Sequence, residues 1–129
     1  MLLDATSPTM VADVERVIPE TATGMAAEVR AQTLAVFRGE NPEQLVINDG
    51  RVRSAGDIPV EVVQHGQRYL EGIPEVGPAL EQAWSDGQRA WLGVSCRSTP
   101  STAGESGHYV HVDQPDLAAR AVRRVVSRA

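Results

Sequence analysis

Ile58-Pro59-Val60-Glu61-Val62-Val63 is short, rich in β-branched residues and apolar on both faces apart from Glu61. A strand with one wet face alternates apolar and polar residues, whereas a strand covered on both faces reads as a nearly unbroken apolar run. Residues 58–63 therefore predict a central strand of a parallel sheet, and the neighbouring sequence supplies the helices such a sheet needs. Downstream, a loop rich in glycine and proline over residues 64–78 leads to a predicted helix over 79–94, with Leu80, Ala83, Trp84, Trp91 and Leu92 as its apolar members. Upstream, Ala55-Gly56-Asp57 and Asn48-Asp49-Gly50 carry turn chemistry.

Further from that strand, Leu2-Leu3 reads as the last apolar pair of a second strand, followed by the polar exit Asp4-Ala5-Thr6-Ser7-Pro8. Ser7 is a good helix cap and Pro8 a good first helical residue; Met10, Val11, Val14, Val17 and Ile18 then recur at helical spacing until Pro19. A second helix is expected over residues 20–38, with Met25, Val29, Leu34 and Phe37 on one side and Gly39 as the stop. Asn41-Pro42 opens a short segment through Leu45, Val46 and Ile47.

Residues 95–107 are small and polar, and Pro100 deletes a backbone donor, so any strand there is weakened or confined to a sheet edge. The clearest helical periodicity lies in Leu117, Ala118, Ala121, Val122, Val125 and Val126, behind Pro115 and Asp116. Arg120, Arg123, Arg124 and Arg128 fall off that stripe and read as a solvated face. Helix, strand, helix, possible strand and helix together spell an α/β class.

The 129 residues suit one domain, and 12 basic against 17 acidic residues give a net charge of −5. All the basic residues are arginine, and the overall field is acidic, which argues against a nucleic-acid partner. Cys96 is the sole cysteine, so an intrachain disulfide framework is excluded and a reducing, cytoplasmic setting is expected. No apolar run is long enough to span a membrane, and Met1-Leu2-Leu3-Asp4 lacks the features of a signal peptide.

Chemistry concentrates in Ser106-Gly107-His108-Tyr109-Val110-His111-Val112-Asp113-Gln114-Pro115-Asp116-Leu117, which precedes the terminal amphipathic helix. This segment resembles the close of an α/β-hydrolase, where a loop after the last strand carries the histidine of a Ser-acid-His triad and a helix then packs back on the sheet. His108 takes the histidine position in that resemblance. Leu2 to Pro8 resembles the end of the strand after the nucleophile helix, residues 9–50 fall where the family inserts a helical cap, and residues 51–129 match the C-terminal core segment. The expected architecture is thus the C-terminal part of an α/β-hydrolase sheet with a cap insertion, in a single partial domain.

A serine hydroxyl is a poor nucleophile near neutral pH, so an imidazole must take its proton and an acid must hold that imidazole's tautomer. The resemblance implies His108 as general base and acid. For its partner it leaves two candidates: Asp4, at the end of the preceding strand, and Glu71, after the strand that exits through Gln64-His65-Gly66. His65 ends that core strand near where the family lines its cleft, but reads first as a hydrogen-bonded loop histidine.

The family's Gly-x-Ser-x-Gly elbow is absent. Gly93-Val94-Ser95-Cys96-Arg97 lacks the final glycine and follows a predicted helix, so Ser95 and Cys96 read as structural. The oxyanion-hole loop is absent too. His108 and His111 are spaced for a metal pair, but no third ligand follows.

The functional expectation is the C-terminal portion of an enzyme that hydrolyses a small-molecule ester or similar acyl bond without a cofactor, inactive by itself for want of a nucleophile. The alternative is a non-catalytic, self-associating interaction protein. Expected partners are accordingly a second copy of the chain or a complementing N-terminal half.

Overall fold

The computed structural model describes residues 1–37 and 50–129. Three strands, β1 (Leu2–Leu3), β2 (Val60–His65) and β3 (Ser98–Ala103), form a parallel sheet in the spatial order β1-β2-β3. Leu2 and Leu3 pair with Val62 and Val63, and Val60 through His65 pair in step with Ser98 through Ala103. β2 is central, and Val60, Glu61, Val62, Val63 and His65 are all buried, as its apolar run predicts. It begins two residues later than expected, since Pro59 cannot donate to a ladder and Ile58 is exposed. It also runs on to His65, which makes that histidine part of the sheet instead of the following loop.

The polar stretch that offered the least strand signal forms β3, a full partner of β2. Its lack of large aliphatic residues is tolerated because it lies at the sheet edge, where Pro100 loses nothing on its unpaired side. Ala103 alone of its residues is fully buried, against Val63, Val110 and Ala121, with Leu3 and Leu117 around them.

Helices α1 (Met10–Val17) and α2 (Gly24–Phe37) build a second apolar cluster, in which Val14, Ile18, Ala26 and Leu34 pack with Ile73 and Leu80. α1 starts later than the expected Ser7 cap. Ser7 is buried in the preceding turn, where its Oγ accepts from the Thr9 N–H and its carbonyl from the Met10 N–H. α2 starts at Gly24, whose φ of 60° admits glycine readily, and Met25, expected on the inner side, is exposed. The expected stop at Gly39, the segment from Asn41 to Ile47 and the Asn48-Asp49 turn lie outside the described residues.

After β2, a 3-10 turn (Tyr69–Gly72) leads into α3 (Gly77–Ala90), which tightens into a second 3-10 turn (Trp91–Val94). A short α4 (Val110–Asp113) precedes α5 (Pro115–Val126). α5 buries Ala118 and Ala121 against the sheet, but Val122 and Val126 stay 45% and 68% exposed, so only part of the predicted apolar stripe is covered. Nor are its arginines all solvated. The Arg124 guanidinium donates to both oxygens of the buried Glu61 carboxylate at 2.9 and 2.5 Å, which explains the one charge in the apolar run of β2. Among the described residues, no helix is long and apolar enough to cross a membrane.

Candidate acid-histidine site

Parallel strands deliver their C-terminal ends to one end of the sheet, and the loops leaving that end meet there. Asp4 is the first residue after β1, and its N–H donates to the Val63 carbonyl of β2 at 2.6 Å. His65 is the last residue of β2, and His108 lies in the loop between β3 and α4. Three side chains separated by as many as 104 positions in sequence thus converge.

The Asp4 carboxylate is fully buried and accepts from four donors. His108 Nδ1 lies 2.9 Å from Oδ2, His65 Nδ1 lies 2.9 Å from each oxygen, Trp84 Nε1 donates to Oδ1 at 2.8 Å, and the His65 N–H donates to Oδ1 at 3.1 Å. Burial pushes the Asp4 carboxyl's pKa up, but the donors from His108, His65 and Trp84 outweigh it and hold the group well below the usual carboxylate range. Asp4 also has a φ of 41°, a left-handed conformation that costs a non-glycine residue about 1 kcal/mol.

That backbone is held from α3. Trp84, Gln88 and Trp91 recur at the four- and three-residue spacing of one helix face, and donate in turn to Asp4 Oδ1, the Ala5 carbonyl and the Thr6 carbonyl. Close packing adds to this, since a Cβ at Gly87 would stand 2.3 Å from Ser7 Oγ.

The His108 loop is fixed as tightly. The Ser106 carbonyl accepts from the Gly66 and Gln67 N–H groups at 3.1 and 3.0 Å, which ties the exit of β3 to the exit of β2. Asp113 on α4 accepts from the Gly107 N–H and the Ser106 hydroxyl through Oδ2. A Cβ at Gly66 would stand 2.4 Å from the Gly104 Cα, so only glycine lets these loops approach. The His108 ring lies against the edge of Trp84 at 5.6 Å and beside Tyr109 at 5.1 Å, with its side chain 40% exposed. Nδ1 faces a carboxylate, which can only accept, so Nδ1 is the donor of this pair. Nε2 makes no hydrogen bond with a described residue.

Behind Asp4 the network continues inward. His65 Nε2 lies 2.5 Å from Glu81 Oε1, and Glu81 Oε2 accepts from the Leu70 N–H at 3.2 Å. Tyr69 tilts over the His65 ring at 4.8 Å. Its partial burial, with the Asp4 and Glu81 charges nearby, raises its hydroxyl pKa and keeps it protonated.

Of the two acids considered for His108, the structure brings Asp4 to it. Glu71, in the turn after β2, pairs instead with Arg68 at 2.9 Å near the surface. Ser95 lies at the opposite end of the sheet from His108, donating to the Ile58 carbonyl. His111 packs on Tyr109, and among the described residues no group of three His, Cys, Asp or Glu side chains is arranged to hold a metal. Sequence reasoning missed Glu81 and Gln88. Their signal was present as a register of hydrogen-bonding side chains, Glu81, Trp84, Gln88 and Trp91, on the face whose apolar members alone were read. Comparison of the chain with known protein families, with curated proteins and with solved structures finds no match in any of the three.

Proposed function

We propose that Asp4 and His108 are the acid and the histidine of a Ser-acid-His hydrolase, and that this chain is the C-terminal portion of an α/β-hydrolase acting on small-molecule esters or similar acyl bonds. The observation that carries the reading is the buried Asp4 carboxylate on His108 Nδ1, with no described residue bonded to Nε2 and the ring partly exposed. In this reading His108 Nε2 takes the proton of an attacking hydroxyl and returns it to the leaving group. Asp4 fixes the tautomer and stabilises the imidazolium that forms. α1 and α2 pack on Ile73 and Leu80 in a cluster separate from that of Val63, Ala103, Val110 and Ala121, which supports reading these two helices as part of a helical cap set over the core segment.

The serine and the oxyanion donors come from polypeptide outside the described residues, either a longer chain or a complementing N-terminal half. No cofactor is required. Cys96, unpaired and exposed, fits a cytoplasmic setting.

The test has two arms. This chain alone gives no burst with p-nitrophenyl acetate and no serine labelled by a fluorophosphonate. The DNA upstream of the Met1 codon encodes, in frame, a Gly-x-Ser-x-Gly segment, and the extended protein hydrolyses the ester and is labelled at that serine. Stoichiometric labelling of a serine in the present chain, or an extended protein that carries the motif but is neither active nor labelled, overturns the reading.

A second reading is favoured by Val122 and Val126, which lie one turn apart on α5 and stay exposed. There the chain is a non-catalytic protein that covers this face with a second copy of itself. Light scattering would find a dimer that Val122→Lys with Val126→Lys converts to a monomer.

A further inference from the structure

The proposed reading uses Asp4 and His108 and leaves His65 and Glu81 without a task. Both are buried, both are ionisable, and each is directed at the same short chain of groups. Burying charge is costly unless every atom is paired, so a His-carboxylate pair set behind another carboxylate calls for a reason. The two ring nitrogens of His65 both face carboxylates, Nδ1 on Asp4 and Nε2 on Glu81. A neutral imidazole has one donor and one acceptor nitrogen, and would set a lone pair against one of them. Protonated at both nitrogens, His65 donates to both.

We propose that His65, gripped by Glu81, is a positioning residue for the Asp4–His108 pair: it clamps the Asp4 carboxylate from behind so that Oδ2 faces His108 and the carboxylate stays ionised. The proposal rests on the hydrolase reading for its use in catalysis, but not for its geometry. His65 binds Asp4 through its ring and through its own backbone N–H, so the carboxylate plane is fixed relative to the end of β2. Trp84 donates to Oδ1 as well, while His65 Nδ1, equidistant from the two oxygens, meets Oδ2 beside His108.

The charged groups facing His65 are Asp4 from the end of β1 and Glu81 from α3, with the neutral Tyr69 over its ring. One imidazolium between two carboxylates leaves a single net negative charge. That charge is what a second imidazolium, formed at His108 during proton transfer, would neutralise.

The experiment is nitrogen-15 NMR of the imidazoles in the full chain. At neutral pH both nitrogens of His65 carry protons, and His108 is protonated at Nδ1. His65→Leu lets the Asp4 carboxylate turn away from His108 and so lowers the ratio of the Nδ1–H to the Nε2–H form of His108 roughly tenfold, the size of a lost His108–Asp4 hydrogen bond. His65→Asn, which keeps a donor toward Asp4, restores the ratio although it loses Glu81 as the leucine variant does. A merely structural role would affect both variants alike.

Should His65→Leu fail to fold, the unsubstituted chain still decides, since a His65 with one bare nitrogen at neutral pH overturns the proposal. An unchanged His108 tautomer in a folded His65→Leu does so too. Neither result depends on acyl transfer, so the hydrolase reading fails separately, by its labelling and activity assays.

Discussion

Asp4 Oδ2 lies 2.9 Å from His108 Nδ1, joining the first residue after β1 to the loop after β3. The contact exists because both strands run in the same direction and finish at the same end of the sheet, with β2 between them. An amide in place of the carboxylate must turn an NH2 group toward either the His65 or the His108 donor. Asp4→Asn is therefore expected to fold with a loss of about 1–3 kcal/mol, read from urea denaturation. In an extended protein carrying the serine it should lower kcat by about 10⁴-fold, as the loss of a tautomer-fixing aspartate does in serine proteases.

Stability should depend on pH from two sides. The folded Asp4 pKa is depressed, so its contribution is complete above 3.8, the ordinary value, and is lost as the pH falls from there. For His65, burial lowers the pKa, but hydrogen bonds to Asp4 and Glu81 outweigh it and raise the group above 6.5. Its contribution is complete below 6.5 and fades as the pH rises through the raised folded value. Thermal melts should give a maximum between these limits, and in His65→Asn the decline on the alkaline side should be shallower.

Gly66 and Gly104 make a matched pair of tests. A methyl group at Gly66 meets Gly104 backbone at 2.4 Å, which no rotamer relieves, whereas a methyl group at Gly104 meets nothing within 4 Å. Gly66→Ala should cost about 1–3 kcal/mol and loosen the His108 loop, while Gly104→Ala should lie within about 0.5 kcal/mol of the parent. Equal losses on chemical denaturation would count against the loop packing.

The Arg124 guanidinium holds the Glu61 carboxyl below its usual range, against a smaller opposing effect of burial. Arg124→Ala should therefore destabilise the chain at pH 7 more than Arg120→Ala does, since it leaves a buried carboxylate with less compensation. The difference should shrink as acid protonates Glu61, and parallel denaturation at pH 7 and pH 4 measures it.

The apolar run of β2, the periodicity of α5 and the spacing of α1 were legible because each follows the geometry of its own element. β3 was not, because its pairing is imposed by β2 and by edge placement instead of by its small polar residues. Within the site, Asp4 and His108 were legible as candidates by position relative to predicted strands. The register that sets Leu3 beside Val63 is what brings Asp4, and not Glu71, to His108. The links to Glu81 and Gln88 were hidden for a different reason: a buried polar residue on a helix looks like a surface one until its partner, here His65 or the Ala5 carbonyl, is placed against it.

The measurement that bears most directly on the Asp4–His108 pair is the nitrogen-15 spectrum of His108 in the parent chain and in Asp4→Asn. The parent should show a proton on Nδ1 and a bare Nε2, and the variant a shift toward the Nε2–H form. A parent chain with the proton on Nε2, or a spectrum indifferent to the loss of the Asp4 charge, would contradict it.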